Sequence, residues 1–401
     1  MRVSVIIPAW NLWKYTFTCL ESLAKHDDGL SEIVVVDNGS TDETRASLKS
    51  VGQQFFGTRF KYIRHESNMG FAIACNTGAC ASSGDILFFL NNDTTVTPKW
   101  LPPLLTTFCN PQTMAAGPLL LYPDGTCQHC GIAFTPFLAP THIYAHFPDT
   151  SPALFSCHSP KAITGAALMV RRQNFFEVCG FNTDYCNGFE DLDLCLCLRK
   201  LGGNLVIAPK SIIIHHEGKT PGRHQDDTKN SRLFTERWGN TLQPDLHHLV
   251  SIDKYEVHLG PKLKTYIALN EQRRNEIAGF HFSSHDEIEL FLNREPLWHD
   301  GYIGLVRYWE GQGAFEKALQ TAEKLMLFFP LETSYRTVLR CAKQANNQVV
   351  MNDVLKQLVM TDFEKQKYKK KILYGRQQAM KWGDAQLTAI YDSWLYKYGT
   401  R

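Results

Sequence analysis

Carboxylates gather at places in this sequence where a strand-like run ends or a helix-like run begins. Asp37 follows the β-branched run Ile33 to Val36, Asp93 closes the tetrapeptide Leu90-Asn91-Asn92-Asp93, and Glu190, Asp191 and Asp193 stand almost side by side. Two adjacent histidines, His215 and His216, end the apolar run Ile212 to Ile214. These are the side chains that ligate divalent cations and carry protons. Two acidic groups converging on one crevice repel a bare phosphate, so a phosphate-bearing ligand there requires a bridging divalent cation held by oxygen donors. Each residue also has a local explanation: Asp37 can cap the helix after it, Asp93 can complete a turn, and the acids from Glu190 to Asp193 can supply the negative charge favoured at a helix N-terminus.

The elements that must position these groups can be read from periodicity. Val3 to Ile7, Ile33 to Val36, Phe60 to Arg64 and Ile86 to Leu90 are short apolar runs of strand length. Helical stretches separate them: Thr16 to Lys25, a segment reaching about Val51, and Ala72 to Ala81. Strands alternating with helices predict an α/β domain with a largely parallel sheet, whose ligands bind beyond the carboxyl ends of the strands. Pro8 to Asn11, Asp37 to Glu43 and Asn91 to Asp93 fall at those ends.

Composition narrows the class. The 401 residues are 44% hydrophobic and 20% charged, and 42 Lys+Arg against 40 Asp+Glu give +2, which excludes bulk disorder and argues against a polyanion partner such as nucleic acid. No apolar stretch reaches the roughly 18 residues of a membrane span, and Val3 to Pro8 is too short for a signal peptide, so a cytoplasmic protein is expected. Twelve cysteines are too few for a disulfide scaffold and are read mostly as core thiols. Cys127-x-x-Cys130, with His129 between, has half of a zinc-site spacing; Cys157, His142, His146 and His158 are the only candidates for the rest.

Beyond about Gly260 the strand signal fades and the sequence reads as helices. Shifting the chain by about 33 residues aligns Tyr302 with Tyr335, Leu305 with Val338, Ala318 with Met351, Ala322 with Leu355 and Leu325 with Leu358, the spacing of tetratricopeptide helix pairs. The expected division is 1–245, an α/β domain; 246–295, a helical connector; and 296–401, a helical, tetratricopeptide-like domain. An ordinary helical bundle remains the alternative for the last part. The basic run Lys365 to Lys371 is compatible with peripheral contact at an anionic membrane face, and also with a solvated helix face.

Six blocks in order carry a family likeness: Val5-Ile6-Ile7-Pro8-Ala9-Trp10-Asn11; Val34 to Asp42; Asn68-Met69-Gly70-Phe71 with Asn76; Leu90-Asn91-Asn92-Asp93-Thr94; Phe189-Glu190-Asp191-Leu192-Asp193-Leu194; and His215-His216-Glu217-Gly218-Lys219-Thr220. Together they resemble the family 2 glycosyltransferases of the GT-A fold, within them the bacterial rhamnosyltransferase-like branch, over about residues 1 to 240. The loop Asp124 to Gly131 fits the same likeness.

The resemblance implies a GT-A nucleotide-diphospho-sugar transferase domain, Rossmann-like, followed by an all-α domain. It implies an inverting transfer, in polysaccharide biosynthesis, from a nucleotide-diphospho-sugar to a hydroxyl of a glycan, glycolipid or protein, with a divalent cation, Mn2+ or Mg2+. Asp37 matches the family's nucleotide-contacting aspartate and Pro8, Ala9 and Trp10 the loop that lines the base, while Gly70, Asn91, Asn92 and Glu190 fall on the donor side. Asp93 matches the last residue of the Asp-x-Asp metal motif, whose first position is Asn91 here. His215, with His216 as the alternative, matches the late metal histidine, and Asp191 the catalytic base. Gly165-Ala166-Ala167 matches a segment lining the sugar pocket. Two other readings stay open: a catalytically weak scaffold whose helical tail recruits a protein partner, and a sugar nucleotidyltransferase. The latter needs a Gly-rich phosphate loop straight after the first strand, whereas Gly57-Thr58-Arg59 precedes the third.

Overall fold

Four apolar runs become the parallel half of a sheet. In the computed structural model, which describes residues 1–156, 159–218, 225–280, 282, 284–359 and 361–399, the chain begins β1 (Val3–Ala9), α1 (Trp13–Lys25), β2 (Glu32–Asp37), α2 (Thr44–Phe56), β3 (Phe60–Arg64), α3 (Phe71–Ala81) and β4 (Ile86–Leu90). It continues β5 (Thr94–Val96), α4 (Leu101–Thr107), β6 (Thr113–Leu121), β7 (Cys127–His129), β8 (Ile132–Phe134), β9 (Pro140–His142), β10 (Ala167–Arg171), α5 (Arg172–Glu177), α6 (Glu190–Lys200), β11 (Asn204–His215) and α7 (Asp227–Trp238). The strand order is β3-β2-β1-β4-β10-β6-β11-β5, with β7 paired to β6, while β8 and β9 pair separately. β3, β2, β1 and β4 are mutually parallel, as the alternating pattern predicts; β10 then runs antiparallel to both of its neighbours.

Every residue of β2 and β4 is buried, which explains their unbroken apolar character: helices cover both faces of a parallel sheet. α3 lies so close to β1 that a Cβ on Gly78 would meet Ile6 Cγ2 at 2.5 Å. Trp100 stacks on Phe88 at 5.1 Å and donates its indole N–H to the His26 carbonyl, so its polar edge is satisfied in the core. Truncating a buried side chain such as Leu20 to alanine costs about 2–5 kcal/mol.

The described chain forms two compact units. The first is Met1–Ala133, Pro140–Asp149 and Leu154–Gln243; the second is Pro244–Arg401 together with Phe134–Ala139 and Thr150–Ala153. A single cut near residue 245 therefore does not separate them. Hydrogen bonds explain why the two early segments belong to the second unit: Asp245 Oδ1 accepts from the Phe134 N–H at 2.7 Å, the Tyr391 hydroxyl donates to the Pro136 carbonyl, and Thr150 Oγ1 donates to the Asn293 carbonyl at 2.9 Å.

The second unit holds α8 (Leu246–Ser251), β12 (Tyr255–Leu259), β13 (Thr265–Leu269), α9 (Glu271–Ala278), α10 (His285–Leu292), α11 (His299–Gly311), α12 (Phe315–Phe328), α13 (Glu332–Gln344), α14 (Gln348–Leu358), α15 (Asp362–Trp382) and α16 (Ala385–Tyr398). The expected helical connector is thus interrupted by an antiparallel hairpin, β12 on β13. Its signal was the two-residue alternation of Tyr255, Val257 and Leu259, all buried, within a segment whose flanks favour helix. α11 and α13 begin at residues 299 and 332, and α12 and α14 at 315 and 348, so the helix pair recurs at a spacing of 33. Val306, Ala318, Ala322, Tyr335, Val338 and Ala342 form the core between these helices. In α15, Lys371 lies over the Phe137 ring at 4.4 Å and Lys369 donates to the Gly399 carbonyl. Among the described residues no helix is long and apolar enough to cross a membrane.

Eleven cysteines are described and all are free thiols. Cys127 and Cys130 are buried, Cys130 donating to the Leu154 carbonyl, and neither joins a group with metal-ligand spacing among the described residues. Cys157 and His158, the remaining partners for a zinc site, lie outside the described residues. Gly57 to Arg59 form a 3-10 turn before β3, away from the sites below.

Candidate active site

The carboxyl ends of β1 and β4 open onto a cleft of about 610 Å³ lined by Pro8, Ala9, Trp10, Gly70, Asn91, Asn92 and Asp93. Its walls are turns locked to one another. Asn11 Oδ1 accepts the Thr41 N–H at 2.8 Å while Ser40 Oγ accepts the Asn11 N–H at 2.8 Å, tying the turn after β1 to that after β2. Asn38 does the same for the start of α3: its amide donates to Asn68 Oδ1 and to the Gly70 carbonyl, and its carbonyl oxygen accepts the Met69 N–H. Gly39 has φ +79 and sits where a Cβ would fall 2.5 Å from the Ser67 carbonyl carbon, so only glycine permits this approach.

Asp37 is not in the cleft wall. It is fully buried; Oδ1 accepts the Ser40 N–H at 2.8 Å, and Oδ2 receives the Tyr62 hydroxyl at 2.9 Å and the Arg64 guanidinium. Burial and the Asp37 carboxylate together push the Tyr62 hydroxyl above its ordinary range. The structure thus places Asp37 beneath the turn whose neighbour, Asn38, does line the cleft.

Asp93 is different. The register of β11 against β5 sets His215 opposite Thr94, which brings His215 Nε2 to 3.1 Å from Asp93 Oδ1. Gln128 holds the other side of the ring: its carbonyl Oε1 lies 2.7 Å from His215 Nδ1 and its amide donates to Glu217 Oε2 at 2.9 Å. A carboxylate only accepts, so the Gln128 amide nitrogen must face Glu217, its oxygen must face His215, and Nδ1 must carry a proton. Nε2 and Asp93 Oδ1 then confront each other as two electron-rich atoms unless a proton or a cation lies between them. Asn91 Nδ2 stands 3.5 Å from the same nitrogen. A carboxylate and an imidazole whose far nitrogen is fixed by an amide oxygen are a donor pair that fits a divalent cation. His216 has its ring 5.3 Å from that of Tyr15 and donates its backbone N–H to the Asp93 carbonyl at 3.0 Å, while the His215 ring meets the Asp93 carboxylate. Lys219 and Thr220, from the same block, lie outside the described residues.

A second cleft of about 460 Å³ shares Phe71, Asn91 and Asn187 with the first and is lined further by Thr164, Gly165, Ala166, Glu190 and Asp191. The backbone enters α6 through Asn187, Gly188 and Phe189 at φ 52, 155 and 75, a run of positive values that only the glycine adopts without strain. Glu190 Oε2 accepts the Gly188 N–H at 2.6 Å and so braces that turn. Asp191 Oδ2 accepts the Gly165 N–H at 2.8 Å and Oδ1 the Leu192 N–H at 2.8 Å, which fixes its carboxylate at the cleft wall with acceptor capacity remaining on each oxygen. Asp193 points away, receiving the Trp238 indole N–H at 2.7 Å and the Arg237 guanidinium at 2.9 Å; it anchors α7 to α6 and does not cap α6.

Residues 4–128 match the family described as Glycosyl transferase family 2. The chain carries a family 2 glycosyl transferase domain. It is similar to the uncharacterized protein y4gI of Sinorhizobium fredii, 30% identical over 243 residues that make up 58% of this chain and 26% of that protein. It is also similar to the O-antigen biosynthesis protein RfbC of Myxococcus xanthus, 28% identical over 273 residues, 66% of this chain and 20% of RfbC. The chain thus spans about a quarter and a fifth of these relatives' lengths. Among solved structures, that of GalNAc-T7 with UDP, GalNAc and Mn2+ aligns with 63% of this chain and 54% of its own at 17% identity and a TM-score of 0.48.

Several residues of the two clefts escape sequence reasoning. Asn187 lines both clefts and accepts the Phe71 N–H, and Asp184, Asp226 and Lys229 line the first. Gln128 gave no signal because its role is to orient another side chain. His129 is fully buried, and burial, followed by the nearby His142 and His215, holds it well below the usual imidazole range. Its Nε2 accepts the Thr164 N–H at 3.4 Å, so its Nδ1 carries the proton and donates to His142 Nδ1 at 2.8 Å. That leaves His142, which lines the second cleft, with its proton on Nε2. The pattern Cys127 to Cys130 suggested a metal; the histidine between them serves this relay of hydrogen bonds.

Proposed function

We propose that the protein is an inverting glycosyltransferase that moves a hexose or deoxyhexose from a nucleotide-diphospho-sugar to a hydroxyl of a glycan, glycolipid or protein acceptor. The observation that supports this reading best is the meeting of two clefts at Phe71, Asn91 and Asn187, one bearing the donor pair Asp93 and His215 and the other the carboxylate of Asp191. In this reading the nucleotide occupies the larger cleft against Pro8, Ala9, Trp10 and Gly70, with Asn91 and Asn92 towards the diphosphate. Asp37 acts from below by holding the Ser40 turn. A divalent cation, Mn2+ or Mg2+, would be held by Asp93 and His215, and when bound it neutralises charge on the diphosphate as the sugar–phosphate bond breaks. Lys229, the cation among the described residues of that cleft, adds to the same field.

Asp191 takes the proton of the acceptor hydroxyl as the hydroxyl oxygen attacks the anomeric carbon from the face opposite the leaving nucleotide. Its two backbone N–H contacts aim the carboxylate, while Glu190, spent on the Gly188 turn, keeps that geometry. The O-antigen role printed for RfbC supports a polysaccharide setting. The helical unit serves the acceptor or a partner protein in this reading, and Lys365 to Lys371 a peripheral contact at the inner membrane face of a cytoplasmic enzyme.

Asp191→Asn tests the assignment. It should keep donor-induced thermal stabilisation, measured with nucleoside diphosphates and their sugars with and without Mn2+, and lower turnover by about 10² to 10⁴. Full turnover, or loss of donor binding, would remove Asp191 from the role of base. No thermal response to any donor would overturn the transferase reading as a whole.

A further inference from the structure

Two adjacent histidines in the second unit, which line neither cleft, converge on one carboxylate. His247 and His248 are consecutive in α8, where successive side chains diverge by about 100°, yet their ring centroids are only 3.9 Å apart. Both rings are turned towards Asp384, the N-cap of α16: His247 Nε2 lies 2.8 Å and His248 Nε2 3.2 Å from the same oxygen, Oδ2. All three ligand atoms fall within 4.8 Å of one another.

We propose that His247, His248 and Asp384 bind a zinc ion. A tetrahedral zinc with bonds of about 2.0–2.2 Å holds its ligand atoms roughly 3.3–3.5 Å apart; the two histidine–carboxylate separations here, 2.8 and 3.2 Å, are shorter, so the ion enters by a small spreading of side chains already gathered. Two imidazoles and one carboxylate suit Zn2+ and not Mg2+ or Ca2+, which take oxygen donors throughout. The ligands are also supported from behind. Asp384 Oδ1 is held by the Leu387 N–H at 2.8 Å, leaving Oδ2 for the histidines, and Gln386 Nε2 donates to the His247 carbonyl at 3.2 Å, fixing the turn of α8 that carries both rings. His247 is fully buried and Asp384 partly buried, whereas the His248 side chain is 57% exposed; this gives an entry path and a fourth position for water. Three protein ligands from two elements make the ion a clasp between α8 and the start of α16.

The site is independent of the transferase reading, and the test separates the two. Asp93→Ala removes the carboxylate of the other candidate cation site, so the full-length Asp93→Ala protein, stripped with chelator and titrated with ZnCl2 by calorimetry, should bind one zinc and gain thermal stability. Co2+ in its place should give the visible d–d bands of a tetrahedral nitrogen-and-oxygen set. Adding His248→Ala, an exposed substitution whose fold is checked by circular dichroism, should weaken zinc on the order of 100-fold or more, since even loss of an outer partner costs about 10–100-fold. In an otherwise unaltered chain His248→Ala should leave transfer activity unchanged. No zinc bound by Asp93→Ala, or equal zinc affinity with and without His248, overturns the proposal and leaves the trio as a hydrogen-bonded clasp.

Discussion

The ends of β2 and β4 look alike in sequence and are used differently in the fold. Each is an apolar strand, buried along its length, that closes on an aspartate after or beside asparagine. At the end of β2 the cation comes from the protein itself: Arg64, from the adjacent β3, reaches Asp37, with Tyr62 on the same oxygen. At the end of β4 Asp93 meets His215, a ring already committed through Nδ1 to Gln128, so that a carboxylate oxygen and an imidazole nitrogen face each other there. The lesson is that a strand-end carboxylate is structural or ligand-binding according to what the neighbouring strand brings to it, and the neighbour is set by topology. β3 beside β2 is one crossover away in sequence; β11 beside β5 is more than a hundred residues away.

The largest effect is expected where the comparison is sharpest. Asp93→Asn keeps the side chain's shape but removes the anionic ligand; cation-dependent transfer should fall on the order of 10³-fold or more, the several kcal/mol that a Lewis acid supplies, with the melting temperature near that of the parent. Undiminished Mn2+ dependence in a transfer assay breaks the comparison from this side. Next, Asp37→Asn should cost on the order of 2–3 kcal/mol of stability in chemical denaturation, less than a fully buried pair because Arg64 reaches solvent, while the cation dependence of transfer persists. Loss of donor binding with stability intact would instead make Asp37 a direct nucleotide contact. The smallest effect belongs to Gln128→Leu, which removes only the acceptor that orients His215; cation affinity should drop about 10–100-fold, read by Mn2+ titration. No change there would show that the His215 ring is set by packing alone.

What was legible in the sequence follows the same division. The parallel half of the sheet could be read because β1, β2, β3 and β4 are continuous apolar runs with helices between them. That Asp93, Asp191 and the Pro8 to Trp10 turn line clefts, with His215 against Asp93, could be anticipated because their blocks keep order and type. The hairpin β12–β13 was missed because five-residue strands inside helix-favouring sequence leave little signal. Gln128, His129 and Asn187 were missed for a different reason. They act through a second side chain or a backbone N–H, and a contact such as Gln128 with His215 exists only after β7 and β11 are both placed beside β6. His215 and His216 differ by a register of one residue: His215 is the last residue of β11 and its ring meets the Asp93 carboxylate, whereas His216 follows the strand.

Cys19 gives the β4 turn a consequence for chemical labelling. Its thiol lies fully buried beneath that turn, 3.7 Å from the Asn91 carbonyl and 3.6 Å from Thr94 Oγ1, and burial pushes its pKa up to about 12. Alkylating reagents attack the thiolate, so in the closed protein Cys19 should stay silent while the exposed Cys80, Cys109 and Cys179 react at once. Any slow modification at position 19 then measures how often the segment carrying Asp93 lifts away from α1. The protein therefore contains its own clock for the opening of that turn, one that reads in mass spectrometry without an introduced probe and that a bound donor should slow.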